Sequence, residues 1–260
     1  MKVEILTNFE LLKRFVEKGQ IVSRKVIITG GARGIGAAIV RRFTALNASV
    51  AFIYRSSDEA AEALARETGA VPVKADISVA SEAAKAAEKC IELLGGVDIL
   101  INNAGIAQIK LFDTLTDEDW RRMLDTNLSG AFYVTRAAVK EMLSNHYGRI
   151  INIGSMWGKT GAACEVHYSA SKAGLRGFTV SLAKELGPSG ITVNCIEPGV
   201  IATEMNASLD GDTLRELCDE TPVCRIGTVD DVVNAVEFFA SEKSSFITGQ
   251  ILGVDGGFAV

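Results

Sequence analysis

From residue 25 onward, short apolar runs alternate with longer stretches in which apolar residues recur every three or four positions. The runs Lys25–Thr29, Ser49–Tyr54, Val71–Lys74, Asp98–Asn102, Arg149–Ile153, Thr192–Ile196 and Gln250–Val254 are short and rich in β-branched residues, which predicts strands. Between them, Ile35–Leu46, Asp58–Glu67, Ser81–Leu94, 117–127 continuing into 128–144, Ser169–Leu186 and Val229–Ala240 carry the helical period. Gly69 ends the second helix, Asp58 and Ser81 are candidate caps, and 202–226 reads as irregular or short-helical lid material. Near-continuous apolar strands alternating with helices predict an α/β fold, a single Rossmann-type doubly wound parallel sheet of about seven strands covered on both faces. Residues 1–24 stand outside this alternation. Phe9, Leu11, Leu12, Phe15 and Val16 predict a short amphipathic helix there, an N-terminal extension to one domain spanning 25–260.

Composition narrows the function classes. The chain has 260 residues, 48% hydrophobic content and a net charge of −5, which suits a large apolar core and argues against a nucleic-acid surface. No apolar run is long enough to cross a bilayer, and charges interrupt every apolar stretch of the N-terminus, unlike a signal peptide. The five cysteines (Cys90, Cys164, Cys195, Cys218, Cys224) form no Cys-x-x-Cys and read as reduced thiols of a cytoplasmic protein. His146 and His167 are too few for a metal cluster, so no metal is expected.

Two places carry candidate chemistry. The first strand runs into Thr29-Gly30-Gly31-Ala32-Arg33-Gly34-Ile35-Gly36 and then a helix. Glycines let the backbone approach a pyrophosphate closely, and the helix N-terminus offers free N–H groups and partial positive charge. Farther on, Tyr168 and Lys172 lie four residues apart, about one helical turn, with Ser155 upstream. A fixed ammonium favours the phenolate of a neighbouring tyrosine, and a serine hydroxyl can hold a substrate oxygen. That trio suits carbonyl–alcohol interconversion.

The glycine spacing T-G-x-x-x-G-x-G, Asn102-Asn103-Ala104-Gly105 after the fourth strand, Asn127 in the long helix, Ser155, Tyr168 and Lys172 occur in one order. Pro198-Gly199-Val200-Ile201-Ala202-Thr203 and the ending Ile247-Thr248-Gly249-Gln250 with Val254-Asp255-Gly256-Gly257 complete it. Residues 25–260 thereby resemble the short-chain dehydrogenase/reductase family, and within it the bacterial 3-oxoacyl-(acyl-carrier-protein) reductases. The resemblance implies Tyr168 as proton donor, Lys172 lowering its pKa, Ser155 orienting the carbonyl and Asn127 holding a water that resupplies protons. It implies a nicotinamide cofactor held by Gly30, Arg33, Gly34, Ile35, Gly36, Arg55, Asp76, Ile77, Asn103, Ala104, Gly105, Tyr168, Lys172, Pro198, Gly199, Ile201 and Thr203. Tyr54 and Arg55 stand where an acidic residue would mark NAD preference, and Arg33 lies in the glycine loop, so NADP(H) is expected. The family also implies a homotetramer.

The implied substrate is a small or carrier-protein-bound ketone, first of all a 3-oxoacyl thioester of fatty-acid synthesis. A carrier protein is acidic, and Arg121, Arg122, Lys140 and Arg149 are the candidates for a basic docking patch. The lid is acidic instead, with Glu204, Asp210, Asp212, Glu216, Asp219 and Glu220. The loop Ser155–Tyr168 is similar to that of reductases acting on 5-aminopentanone attached to elongation factor P, and an acidic lid suits that cationic substrate. A hydroxysteroid, a sugar alcohol or a non-catalytic NADP-binding regulator are further alternatives. His167 is expected at the surface or a subunit contact, because adjacent helical residues diverge by about 100°.

Overall fold

The computed structural model describes residues 24–204 and 211–259, so the helix expected within 1–24 lies outside the described residues. Seven parallel strands form one sheet: β1 (Lys25–Thr29), β2 (Ser49–Tyr54), β3 (Val71–Lys74), β4 (Ile99–Asn102), β5 (Gly148–Ile153), β6 (Ile191–Pro198) and β7 (Ile251–Val254). Their spatial order is β3-β2-β1-β4-β5-β6-β7. The direction of winding reverses between β1 and β4, which opens a crevice at the carboxyl ends of those strands.

The helices are α1 (Gly34–Ala45), α2 (Asp58–Thr68), α3 (Ala80–Leu94), α4 (Asp117–Leu124), α5 (Gly130–Asn145), α6 (Trp157–Thr160), α7 (Val166–Leu186), α8 (Gly211–Glu220) and α9 (Val229–Ala240). Two apolar cores sandwich the sheet. Val26, Ile28, Phe43, Phe52, Val232 and Val236 belong to one, and Ile27, Leu100, Val134, Met142, Ile150 and Val193 to the other. Alternate residues of β1 thus enter opposite cores, and each fully buried aliphatic side chain contributes about 2 kcal/mol.

The strand ends are tied by side-chain amides. Asn102 donates to Thr135 Oγ1 at 2.9 Å and to Asn152 Oδ1 at 2.8 Å, and Asn152 donates to Thr179 Oγ1 at 2.9 Å. These bonds run from α5 through β4 and β5 to α7, fixing the sheet edge on which the crevice sits.

Several expected boundaries move. α7 starts at Val166 rather than Ser169, so Tyr168 lies in its first turn. Neither Ser81 nor Asp58 is a cap: Val79 and Ser57 hold those positions, and Asp58 instead pairs with Lys74 at 2.7 Å. The expected continuous helix around Asn127 is broken by a π-helical turn, Asp125–Ser129. The expected lid contains α8, and its residues 205–210, including Asp210, lie outside the described residues.

Candidate active site

The glycine loop is built by contacts from three strands. Gly30 and Gly31 donate their N–H groups to Ile53 O at 2.8 and 3.2 Å. Thr29 Oγ1 accepts from Asn103 N and Ala104 N, both at 3.0 Å, and Asn103 Nδ2 donates back to the carbonyls of Thr29 and Gly30. A Cβ at Gly36 would come 2.1 Å from Gly30 O, so only glycine lets α1 approach the turn this closely. Gly34 has φ +52 and faces the cleft, where a Cβ would meet only Thr203, at 3.8 Å. No side chain caps α1 at Arg33, so its first N–H groups are left for an anion. This uncapped, glycine-lined helix start fits a dinucleotide pyrophosphate.

The adenosine side is polar and open. Tyr54 ends β2, half-buried, and engages Asp58. Arg55 is exposed and lies 3.7 Å from Asp76 Oδ2, while Asp76 Oδ1 accepts from Ser78 N and Oγ at 2.9 and 2.6 Å. Arg33 is exposed and reaches Glu204 of the lid at 3.5 Å. Exposed pairs of this kind are worth less than about 1 kcal/mol, so both guanidinium groups exchange readily onto a ligand. Ile77 turns its side chain into the core against the position of Gly130.

Ser155 follows β5 and is buried, and Tyr168 and Lys172 approach from α7. Lys172 is 3% exposed and donates to Ile153 O at 2.9 Å, with its Nζ 5.7 Å from the Tyr168 ring centroid. Burial pulls its ammonium down to about 8. Burial likewise pushes the Tyr168 phenol up to about 12, against a hydrogen bond with Ser155 that pulls it down. For Tyr168, desolvation outweighs the hydrogen bond with Ser155, so the net shift is upward.

The π turn brings Asn127 inward. Its Oδ1 accepts from Ile106 N at 2.8 Å, and its Nδ2 donates to Ile106 O at 2.9 Å and Ser171 Oγ at 3.1 Å. A Cβ on Gly105 would lie 3.3 Å from Asn127 Oδ1 and 3.4 Å from Lys172 Nζ, so these three residues pack together.

Pro198 ends β6, Gly199 N donates to Val254 O at 3.0 Å, and Ile201 is 3% exposed. Thr203, with Gly34, Val200, Glu204, Leu214 and Ile226, borders a cavity of about 580 Å³ between the glycine loop and the lid. Tyr168 is not among its lining residues; Ser155, Tyr168 and Lys172 lie on the α7 side of the crevice. Among the described residues, no group of three or more His, Cys, Asp and Glu could hold a metal ion. No described helix is long and apolar enough to cross a membrane.

Two expectations fail on burial. His167 has no exposed surface, and its Nε2 lies 3.1 Å from Gln108 Oε1. Arg149 is 2% exposed and donates to Gly148 O at 2.9 Å, so it cannot join a docking patch. Glu165 was not singled out by sequence reasoning. It is half-buried at the N-cap of α7 with no side-chain partner among the described residues, and burial raises its carboxyl. No local motif marks it. Met156 is buried and Trp157 packs edge-on against Phe258 at 5.7 Å.

A family model described as Enoyl-(Acyl carrier protein) reductase matches residues 30–259. A 3-oxoacyl-(acyl-carrier-protein) reductase of Aquifex aeolicus is 40% identical over 89% of this chain and 95% of its own length. An acetoacetyl-CoA reductase of Shinella zoogloeoides is also 40% identical, over 91% of this chain and 98% of its own. The crystal structure of a blue fluorescent protein from a metagenomic library, in complex with NADPH, superposes with TM-score 0.87 at 38% identity, covering 93% of this chain and all of that one. The glycine cradle, the Ser155–Tyr168–Lys172 grouping and these relatives agree: the chain belongs to the short-chain dehydrogenase/reductase family, nicotinamide-dependent oxidoreductases that interconvert carbonyl and hydroxyl groups.

Proposed function

We propose that the protein reduces a 3-oxoacyl thioester, presented on an acyl carrier protein, to the 3-hydroxyacyl form with NADPH. The observation that carries the reduction is the grouping at the carboxyl edge of the sheet: Tyr168 hydrogen-bonded to Ser155, with the Lys172 ammonium 5.7 Å from its ring centroid. When bound, the nicotinamide supplies the hydride. Ser155 orients the substrate carbonyl, and Tyr168 donates a proton to its oxygen. Lys172 binds the cofactor ribose and supports the phenolate left behind. Asn127, tied to Ile106 and Ser171, holds the path by which Lys172 is reprotonated. Arg33 and Arg55 clamp the 2′-phosphate, and Tyr54 supplies no carboxylate to repel it. The remaining contacts are those of Gly30, Gly34, Ile35, Gly36, Asp76, Ile77, Asn103, Ala104, Gly105, Pro198, Gly199, Ile201 and Thr203. The protein works in the cytoplasm as a homotetramer.

A second reading rests on Glu165. Its half-buried carboxylate has no counter-ion among the described residues and acts on Tyr168, raising the phenol further. Such a group favours a ketone that carries an amine. Initial rates with NADPH and acetoacetyl thioester, against a simple amino-ketone and with NADH as control, separate the two. Faster turnover of the amino-ketone sinks the thioester reading, and equal use of NADH sinks the assignment of Arg33 and Arg55.

A further inference from the structure

The segment after β4, Gly105–Leu111, runs from the glycine loop past Asn127 and Lys172 to the loop that precedes Tyr168. Its residues alternate: Gln108 and Lys110 are half-buried, while Ala107, Ile109 and Leu111 are exposed. An extended strand-like segment at the rim of a cleft has no ladder of its own to hold it. Here side chains do so at three places. Ile106 is held on both backbone groups by Asn127. Lys110 N donates to Cys164 O at 2.8 Å, and Lys110 Nζ meets Asp119 Oδ2 at 2.5 Å. Between them, Gln108 Nε2 donates to Asp119 Oδ1 at 3.0 Å, and Gln108 Oε1 lies 3.1 Å from His167 Nε2.

The donors in that middle bond follow from Asp119. An ionised carboxylate only accepts, so the Gln108 amide nitrogen must face it and the amide oxygen must face His167. His167 Nε2 therefore carries the proton and donates. Nδ1 is then a bare lone pair, and among the described residues it is buried without a partner. Protonating it would place an unsolvated charge there. Burial accordingly holds the imidazole below its ordinary value, with Asp119 and Lys110 pulling in opposite directions. The ring is a neutral, fixed donor. It belongs to the residue adjacent to Tyr168 and reaches a partner 59 residues away in sequence.

We propose that His167 is a positioning residue: through Gln108 and Asp119 it latches the Gly105–Leu111 segment to the catalytic helix, fixing the wall of the substrate cleft relative to Tyr168. This rests on the carbonyl-reduction reading above, and it assigns His167 no proton transfer. A latch of this kind grips the segment at Gln108, beyond Gly105 and the Asn103 and Ala104 bonds to the glycine loop, so it acts on how the ketone is held.

The test compares His167→Ala, Gln108→Ala and His167→Gln in the full chain, reading ketone KM and kcat, NADPH dissociation constant and amide hydrogen exchange. His167→Ala and Gln108→Ala should raise KM by about tenfold, the scale of one lost hydrogen bond, with kcat and NADPH affinity changed less than about threefold. Exchange at the amides of 106–111 should quicken in both. His167→Gln places an amide N–H near Nε2 and should restore both readouts. An unchanged KM, or faster exchange with no change in KM, overturns the positioning role, as does failure of His167→Gln to rescue a KM defect while the variant stays folded. A wild-type protein that turns over no ketone sinks the reductase reading alone; unchanged exchange at 106–111 then overturns the latch independently.

Discussion

At the amino edge of the sheet, Arg24 and Arg149 flank the Tyr147 ring at 4.2 and 4.5 Å, and both guanidinium groups reach Glu242. At the carboxyl edge, Tyr168 has beside it a lysine bound to a carbonyl, a serine and a glutamate without a counter-ion among the described residues. Burial pushes both tyrosines up to about 12. The shift alone therefore does not distinguish a site from a structural cluster. The surroundings do: the amino edge pairs its cations with a carboxylate, whereas the carboxyl edge keeps buried polar groups bound to neutral partners that a ligand can replace.

The largest effect expected from breaking the carboxyl edge is that of Tyr168→Phe. Turnover should fall by about 10²–10⁴-fold while the cofactor dissociation constant stays within about twofold, as stopped-flow and fluorescence titration would read. Near-wild-type turnover would remove Tyr168 from the chemistry.

Lys172→Met sharpens the comparison through pH. The folded protein binds the Lys172 proton less tightly, with a pKa near 8 against the ordinary 10.5. Between those values the unfolded chain keeps a proton that the folded one has lost, so wild-type stability gains as pH rises through that window. Relative to Lys172→Met, the wild type should gain on the order of 2 kcal/mol between pH 7 and pH 10 in urea titrations. A constant gap would show that Lys172 titrates normally.

Breaking the amino edge should cost stability alone. Arg149→Met should destabilise by roughly 1–3 kcal/mol, since it strips Gly148 O and Glu242 of a donor, and leave kcat/KM of the folded enzyme unchanged. A fall in kcat/KM would tie the two edges together.

The smallest effects contrast two helix starts. α9 opens with a capping box in which Thr228 and Asp231 satisfy each other's backbone N–H groups, whereas α1 opens uncapped. Thr228→Ala should cost about 1 kcal/mol and change no cofactor constant. Arg33→Ala should cost almost no stability and raise KM for NADPH about tenfold but not for NADH, as expected for one lost bond to a charged phosphate. Equal losses with both cofactors would show that Arg33 does not read the 2′-phosphate.

The strand runs, the glycine loop and the Tyr168–Lys172 pair were legible because each is a local pattern: period two, period 3.6, or a fixed spacing along one helix; Ser155 was legible from its place just after a strand run. Local pattern also placed Asn127 correctly in the chain but not its geometry, since nothing in Asp125–Ser129 announces a π turn. His167 was misjudged for a related reason. Its helical angle relative to Tyr168 was read correctly, but its Gln108 partner comes from a segment 59 residues away in the chain. Arg149 likewise carries a charge that suggests surface, yet it donates to Gly190 O and stacks on Tyr147 in the fold.

What the sequence by itself determined is therefore the set of elements, their alternation and the residues able to do the chemistry, all of which follow from backbone periodicity and side-chain type. The tertiary structure alone decided the β1–β4 reversal that opens the crevice, the desolvation that raises the Tyr168 phenol and lowers the Lys172 ammonium to about 8, and the partners of His167 and Arg149. Those properties depend on desolvation and on contacts between segments far apart in the chain, and neither is encoded in any local stretch.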